Sequence, residues 1–271
     1  MLLKLKTFAT VAAVIGSLAL AGCGQEEKKA NHIKVGVIVG AELKVAEVAK
    51  QIAKDKYGLD VELVSFNDYV LPNEALNKGD IDLNAFQHKP YLDQQIKDRG
   101  YKLAVVGNTF VYPIAAYSKK IKSIDELQDG AQIAIPNDPT NLGRSLLLLQ
   151  KQGLVKLKDG VGLMPTVLDI IENPKHLKII ELEAPQLPRS LDDNQVTLAI
   201  INTAYSSQIG LTPTKDGIFV EDKDSPYVNI IVSREDNKDS ENVKKFVQAF
   251  QSDEVFNAAD KEFKGGAIKG W

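Results

Sequence analysis

One short segment of the sequence concentrates side chains that could take part in catalysis or bind a ligand. Residues 79–95 read GDIDLNAFQHKPYLDQQ, and Phe86, His88 and Tyr91 fall within six positions of a chain that has three histidines. A histidine in this setting could ligate a metal, act as a general base, or line a pocket with the neighbouring rings. For Phe86 and Tyr91, ordinary core packing is an equally good interpretation.

The rest of the sequence does not supply the partners that a metal or catalytic site needs. His32 and His176 lie in a predicted tether and beside a proline turn, and no HxxxH or CxxC spacing exists. There is no GxSxG motif, and the one cysteine is Cys23. Asp80 and Asp82 alternate with apolar residues, which indicates a strand with a polar face. We therefore predict no metal, no cofactor and no enzymatic activity; a secreted enzyme remains the alternative class.

A second segment, PNDPTNLGR (136–144), is typical of the start of a helix that binds an anion. Pro139, Thr140 and Asn141 are helix-start residues, and the free N–H groups and dipole of such a start attract negative charge. Arg144 lies one turn further and suits bidentate capture of a carboxylate. No Gly-Lys-Ser/Thr follows, which argues against nucleotide phosphate. The alternative is a capped surface helix with a solvated arginine.

Two asparagines and an aromatic cluster extend this hypothesis to a whole ligand. Asn202 and Asn229 each offer a donor and an acceptor, so together they could hold an α-amino group, although turn-forming asparagines are the alternative. A wall containing Tyr69 beside the 86–91 cluster would suit a flexible apolar side chain, and sulfur packs well against ring edges. Composition alone does not choose a thioether over leucine.

These residues follow the carboxyl ends of predicted strands, where open α/β sheets bind ligands. Apolar periodicity predicts a first βαβ set and a second set with the same order of elements. The predicted strands are 33–40, 60–66, 80–86, 131–136, 176–184 and 196–201, and the predicted helices are 41–58, 72–79, 137–153 and 188–195.

The repeated sets predict two α/β lobes, each a mainly parallel sheet flanked by helices. Two extended segments, 110–118 and 225–233, are predicted to cross between the lobes, and residues 242–263 form a helical region that docks on lobe I. The predicted boundaries are 33–116 plus 227–271 for lobe I and 117–226 for lobe II. A cleft between two such lobes is a common place for a small ligand.

The N-terminus is typical of a secreted lipoprotein. Residues 1–23 have a basic start, an apolar stretch of about 14 residues, and a small-small-Cys ending that resembles a lipobox. We predict a signal peptide at 1–22, acylation of Cys23, and a polar tether over 23–32. A plain signal peptide with an incidental cysteine is the alternative. The net charge of −3 argues against nucleic acid as a partner.

Long strings in this sequence resemble the family of methionine-binding lipoproteins of bacterial ABC importers. They are KVGVIVGAE, FNDYVLPNEAL, NAFQHKPYLD, NTFVYPIA, IPNDPTNLGRSLLLL, LEAPQLPRSLDD and SPYVNIIVSREDN, and with the lipobox they span essentially the whole chain. The resemblance implies a two-lobed periplasmic binding-protein fold, type II-like, that closes on methionine in its L and D forms. Another apolar amino acid or a methionine-containing dipeptide is the alternative ligand.

The resemblance also implies roles for particular residues. The family's aromatic pocket corresponds to Tyr69, Phe86, His88 and Tyr91, its carboxylate-binding arginine to Arg144, and its polar contacts to Asn202 and Asn229, while Asn141 and Tyr205 lie in matching motifs.

The expected partners are methionine, a separate permease and ATPase, and the membrane through the lipid anchor. The protein is expected to be a monomer on the periplasmic side of the cell membrane. Gly24 follows the acylated cysteine and does not decide between inner and outer membrane. A surface lipoprotein with an adhesive role is a further alternative.

Overall fold

A computed structural model describes residues 30–222 and 224–271. The predicted signal peptide, Cys23 and most of the tether lie outside the described residues. The described strands are β1 (His32–Ile38), β2 (Asp60–Phe66), β3 (Leu83–His88), β4 (Leu103–Val111), β5 (Ala115–Tyr117), β6 (Gln132–Pro136), β7 (Lys156–Leu157), β8 (Ile170–Glu172), β9 (Lys178–Leu182), β10 (Val196–Ile201), β11 (Phe219–Val220), β12 (Val228–Arg234) and β13 (Ile268–Lys269).

The described α-helices contain no segment long and apolar enough to cross a bilayer. They are α1 (Ala41–Tyr57), α2 (Leu71–Lys78), α3 (Lys89–Arg99), α4 (Pro139–Lys151), α5 (Leu187–Ser190), α6 (Thr203–Ser206), α7 (Pro213–Asp216), α8 (Glu241–Phe250) and α9 (Asp253–Glu262).

The first sheet has the strand order β13-β4-β12-β3-β1-β2. Strand β1 pairs in parallel with β2 and β3, whereas β12 runs antiparallel between β3 and β4. Val35 and Val37 of β1 are buried, together with Phe246 and Phe250 of α8. The β-branched run of β1 is therefore covered by α1 and by the C-terminal helices, as expected for a helical region that docks on this sheet.

The second sheet, of order β11-β5-β10-β6-β9, repeats the central topology of the first. Strand β6 pairs in parallel with β9 and β10, and β5 runs antiparallel beside β10. The order β9-β6-β10-β5 thus matches the order β2-β1-β3-β12. Both sheets extend their predicted parallel part with antiparallel strands, because the segments that cross between the sheets contribute strands themselves.

The third strand and the segment after it differ from the sequence prediction. Strand β3 is shifted toward the C-terminus and ends at His88, and α3 begins at the next residue. The sequence did not predict α3, because only Tyr91 and Leu92 of this helix are buried and its apolar periodicity is weak. Pro90 in its first turn and the His88 side chain as N-cap start the helix.

One smaller prediction is corrected, and another gains detail. His32 belongs to β1 rather than to the tether, and its Nδ1 lies 2.9 Å from Asp60 Oδ2 on the neighbouring strand β2. The C-terminal helical region is two helices, α8 and α9. The Ser252 side chain starts the second of them by accepting a hydrogen bond from the Val255 N–H.

Helix α4 lies against the loop at residues 163–165 without space for any side chain at Gly143. A Cβ atom on Gly143 would lie 2.5 Å from the Leu163 carbonyl oxygen and 2.7 Å from Met164 Cα. These are backbone atoms, which cannot turn aside as a flexible side chain would. The contact fixes the position of α4, and with it the two helix residues that the sequence predicts to bind a ligand.

We expect Gly143→Ala to destabilise the protein, even though alanine is more favourable than glycine inside a helix by about 1 kcal/mol. The overlap with the 163–165 backbone should cost more than this gain, lowering the free energy of unfolding by about 1–3 kcal/mol. Urea denaturation measures this change. Gly58→Ala is the control. Gly58 has a φ of 61°, and a methyl group at this position would meet no atom of the described residues within 4 Å. Only backbone strain of about 1 kcal/mol is therefore expected. Unchanged or increased stability of Gly143→Ala would contradict the packing argument.

Candidate ligand-binding site

A cavity lies where β3, β10, β12 and the starts of α1 and α4 meet, with about 370 Å³ of empty space that is partly open to solvent. The lining combines aromatic rings with amides and two charged side chains. The lining residues are Glu42, Tyr69, Phe86, Gln87, His88, Tyr91, Tyr112, Asn141, Arg144, Asn202, Thr203, Ala204 and Asn229.

Eight of the nine predicted binding residues line this cavity, and Tyr205 does not. The Tyr205 ring packs behind Tyr69, with 5.0 Å between ring centroids, and its hydroxyl donates to the Asn67 carbonyl at 3.2 Å. Tyr205 follows β10 of the second sheet, whereas Asn67 follows β2 of the first. Its position is therefore that of a support that joins the two sides of the cavity.

One wall of the cavity is a group of edge-packed rings. The Tyr69 and Phe86 centroids lie 5.8 Å apart, and Tyr91 meets Phe86 in a T-shaped arrangement at 6.1 Å. The Tyr91 hydroxyl donates to the Tyr69 carbonyl oxygen at 2.8 Å. Since α3 begins directly after β3, the strand end and the first helical turn deliver Phe86 and Tyr91 to the same wall. Such a wall suits an unbranched apolar chain or a thioether.

His88 joins this wall to the polar side of the cavity as an uncharged hydrogen-bond donor. Its Nδ1 accepts from the Tyr91 N–H at 3.2 Å, so the proton is assigned to Nε2, which lies 3.2 Å from Asn141 Oδ1. Burial, and next the positive charge of Arg144, lower the pKa of His88 to about 3. His88 is therefore neutral under ordinary conditions and positions Asn141 rather than binding an anion as a cation.

The start of α4 differs from the sequence prediction in one respect. Its N-cap is Asp138, whose carboxylate accepts from the Asn141 N–H at 3.0 Å and also from the Asn141 side-chain amide. The helix start thus already holds an anion of its own, so its Asn141 N–H is not free for a ligand. The same contacts turn Asn141 Oδ1 toward His88 and toward the Asn202 amide, which donates to it at 2.9 Å.

Arg144 is the buried cation of the cavity, and 3% of its surface is exposed. Its Nε donates to Glu221 at 2.9 Å, and Nη2 donates both to Glu221 and to the Tyr112 carbonyl. The guanidinium also lies over the Tyr227 ring, 4.4 Å from the centroid. Among the described residues, Nη1 has no hydrogen-bond partner. Arg144 is thus held in place with one nitrogen available.

Sequence reasoning did not find Glu221 or Tyr227, which lie near the second crossing. An arginine that is to be buried needs a counter-charge, which could have prompted a search for one. The chain has 36 acidic residues, and no spacing relates residue 221 to residue 144. Their proximity follows from the position of β11 at the edge of the second sheet.

Glu42 is the acidic residue of the lining, and the sequence did not predict its place in the site either. It is 7% exposed, and its Oε2 has no hydrogen-bond partner in the described part of the chain. Burial raises its pKa to about 8. The one signal in the sequence was its place just after Gly40, at the carboxyl end of β1. Residues 30–222 and 224–271 contain no group of three or more His, Cys, Asp or Glu arranged to hold a metal.

The lowered pKa of His88 predicts an acid-dependent loss of stability. Below about pH 6.5 the unfolded chain takes up a proton on this histidine, whereas the folded chain does so only near pH 3. As pH falls through this window, the free energy of unfolding should therefore decrease more steeply in the wild type than in His88→Gln, by up to about 1.4 kcal/mol per pH unit.

Urea denaturation at several pH values measures the two slopes. His176→Gln, at an exposed position, is the control and should keep the wild-type slope. Equal slopes for the wild type and His88→Gln would show that His88 is not held neutral by its surroundings.

Comparison with known proteins places these features in a family. The family model for the NlpA lipoprotein matches residues 33–271. D-methionine-binding lipoprotein MetQ of Escherichia coli (strain K12) is 81% identical over 271 residues, which is 100% of both chains.

Two solved structures share the fold. A nutrient binding protein from Burkholderia cenocepacia bound to methionine has a TM-score of 0.86 at 52% identity, covering 88% of this chain and 100% of its own. An ABC transporter, periplasmic substrate-binding protein from Coxiella burnetii has a TM-score of 0.85 at 49% identity, with coverage of 88% and 100%. The expected two-lobed periplasmic binding-protein class is thereby confirmed. The chain belongs to the NlpA lipoprotein family.

Proposed function

We propose that this protein is a substrate-binding protein of an ABC importer that captures methionine in the cavity, rather than an enzyme. The observation that carries the proposal is the division of one buried cavity into an aromatic wall and a polar end with Arg144. A free amino acid with an apolar side chain has the same division. The 81% identity to a D-methionine-binding lipoprotein and the methionine-bound structural neighbour support methionine as that amino acid.

In this proposal the cavity residues divide the recognition of methionine. Arg144 binds the carboxylate through its free Nη1, and Asn202 and Asn229 contact the α-amino and carboxylate groups. Asn202 Oδ1 is buried without a partner in the described structure, which favours an N–H donor on the ligand. Asn141 holds Asn202 in position from the side of α4.

The aromatic residues Tyr69, Phe86 and Tyr91, with His88, receive the thioether chain. The sulfur packs against ring edges, a contact worth about 0.3–1.5 kcal/mol. Burial of the side chain adds about 25 cal/mol for each Å² of apolar surface removed from water. Tyr205 supports Tyr69 and takes no direct part.

Closure of two lobes around the ligand is proposed as the step that buries it. The lobes correspond to residues 33–116 plus 227–271 and to residues 117–226, with the crossings as the hinge. Hydrogen bonds from His88 to Asn141 and from Tyr205 to Asn67 link elements of the two sheets and would form on closure.

The proposed place of action is the periplasmic face of the cell membrane, with Cys23 as the acylated anchor and the residues between it and β1 as the tether. The relative from Coxiella burnetii is by name a periplasmic substrate-binding protein of an ABC transporter, which supports this assignment. The permease and ATPase subunits are separate chains, and the binding protein acts on them as a monomer.

Replacing Arg144 tests the carboxylate assignment. We expect Arg144→Ala to weaken methionine binding by about 100-fold or more, since a buried carboxylate loses its charged donor. Isothermal titration calorimetry with L- and D-methionine measures the affinity.

Arg144→Ala also leaves Glu221 without its cation, so Arg144→Ala/Glu221→Gln serves as a second variant that removes the stranded charge. Lys151→Ala, on the same helix but outside the cavity lining, is the matched control and should bind as the wild type does. Wild-type affinity in both Arg144 variants would overturn the assignment.

The identity of the ligand is tested by competition with close analogues. Norleucine, leucine and a glycyl-methionine dipeptide differ from methionine by the sulfur, by branching and by length. We expect methionine to bind tightest, because one wall of the cavity is aromatic and a thioether packs favourably against aromatic rings. Native mass spectrometry of the purified protein gives an independent result. A tighter complex with leucine or the dipeptide would replace methionine in the proposal.

A further inference from the structure

We propose that Glu42 is a ligand-contacting residue of this cavity, and that its carboxylate together with Asn202 Oδ1 receives the ammonium group of the bound amino acid. The inference rests on the proposed function, and it adds a charged partner for the amino group where amide contacts alone were proposed.

Two buried oxygen atoms of the lining have no partner among the described residues, Glu42 Oε2 and Asn202 Oδ1. Leaving a buried acceptor unpaired costs about 1–3 kcal/mol, and more for a charged group. Both atoms belong to one cavity; Asn202 Oδ1 is an acceptor, and Glu42 Oε2 is an acceptor when its carboxyl group is ionised. A group with several N–H donors would satisfy both at once, and a primary ammonium has three.

The remaining charges of the cavity are already balanced. The Arg144 charge is met by Glu221, and His88 is uncharged. Of the lining residues, only Glu42 can supply a negative charge that no protein cation already neutralises. An ammonium group brought out of water needs such a charge or pays a large desolvation cost.

The groups around Glu42 do not titrate in place of it. Tyr69 and Tyr112 in the lining, and Tyr205 behind them, interact with its charge, and burial raises the pKa of each phenol above its usual value. On the outer side of α1, Lys44 points away to Glu262 on α9, with 2.9 Å between Nζ and Oε2. Among these groups, Glu42 is thus the one that gains or loses a proton near neutral pH.

The ligand-free and the ligand-bound protein should differ by one proton. Burial raises the pKa of Glu42 to about 8, so the carboxyl group is mostly protonated in the free protein at neutral pH. An ammonium beside it favours the carboxylate and lowers this pKa. The Glu42 proton then passes to the buffer, while the ligand keeps its own three ammonium protons. Binding should strengthen as pH rises from about 6 to about 8, because binding releases a proton.

Calorimetric titration of L-methionine in phosphate and in Tris, whose ionisation enthalpies differ, measures the number of protons released. For the wild type we expect release of roughly one proton per ligand near neutral pH. For Glu42→Gln we expect no release, an affinity lower by about tenfold or more, and no rise of affinity between pH 6 and 8. Glu47→Gln, an exposed acid on the same helix, should behave as the wild type.

A methionine analogue without the amino group, 4-(methylthio)butanoate, separates this contact from the rest of the site. It should bind the wild type and Glu42→Gln equally, with no release of protons.

Each result has a distinct meaning. No binding of methionine to the wild type overturns the proposed function itself. Binding to the wild type without proton release, and with a flat pH dependence, overturns the role of Glu42 alone. Because those two measurements use the wild type, the inference is tested even if Glu42→Gln fails to fold.

Discussion

The pairing of Arg144 with Glu221 is the interaction on which the rest of the cavity depends. Arg144 is 3% exposed, and burying its guanidinium without a counter-charge would cost much free energy. The Glu221 carboxylate supplies this counter-charge and accepts two hydrogen bonds from the guanidinium. The Tyr112 carbonyl and the Tyr227 ring then fix the guanidinium from both crossings. Within the described residues, the pair leaves one guanidinium nitrogen without a hydrogen-bond partner, so the site keeps a directed donor while the pair itself carries no net charge.

The other polar groups are arranged consistently with this neutral pair. His88 beside a full positive charge stays unprotonated, and it orients Asn141, which in turn orients Asn202. Asp138 completes the chain at the start of α4. A change at any link of this chain should therefore alter the position of the Asn202 side chain in the cavity, including a change at Asp138, which does not line the cavity.

The ends of the strands could be predicted from the sequence, whereas the contacts between distant segments could not. Parallel strands bring their carboxyl ends to one edge, which placed Phe86, Asn141 and Asn202 where ligands bind. The family resemblance, rather than this argument, implied that they belong to a binding site. Glu221 and the burial of Glu42 depend on how β11 and α1 pack, which local pattern does not encode. Helix α3 was missed because few of its residues are buried. Asp138 took the N-cap position because its carboxylate reaches the Asn141 N–H.

The close packing at Gly143 has a consequence for how this binding site can change over evolution. The helix that carries Arg144 packs directly against the backbone of residues 163–165, so it cannot move closer to this segment. The opposite wall is made of side-chain rings, which can be exchanged one at a time without moving a backbone segment. In the proposed site, recognition of the amino-acid head group is therefore the constrained half, and new side-chain specificities should arise through substitutions at positions such as Tyr69 and Phe86.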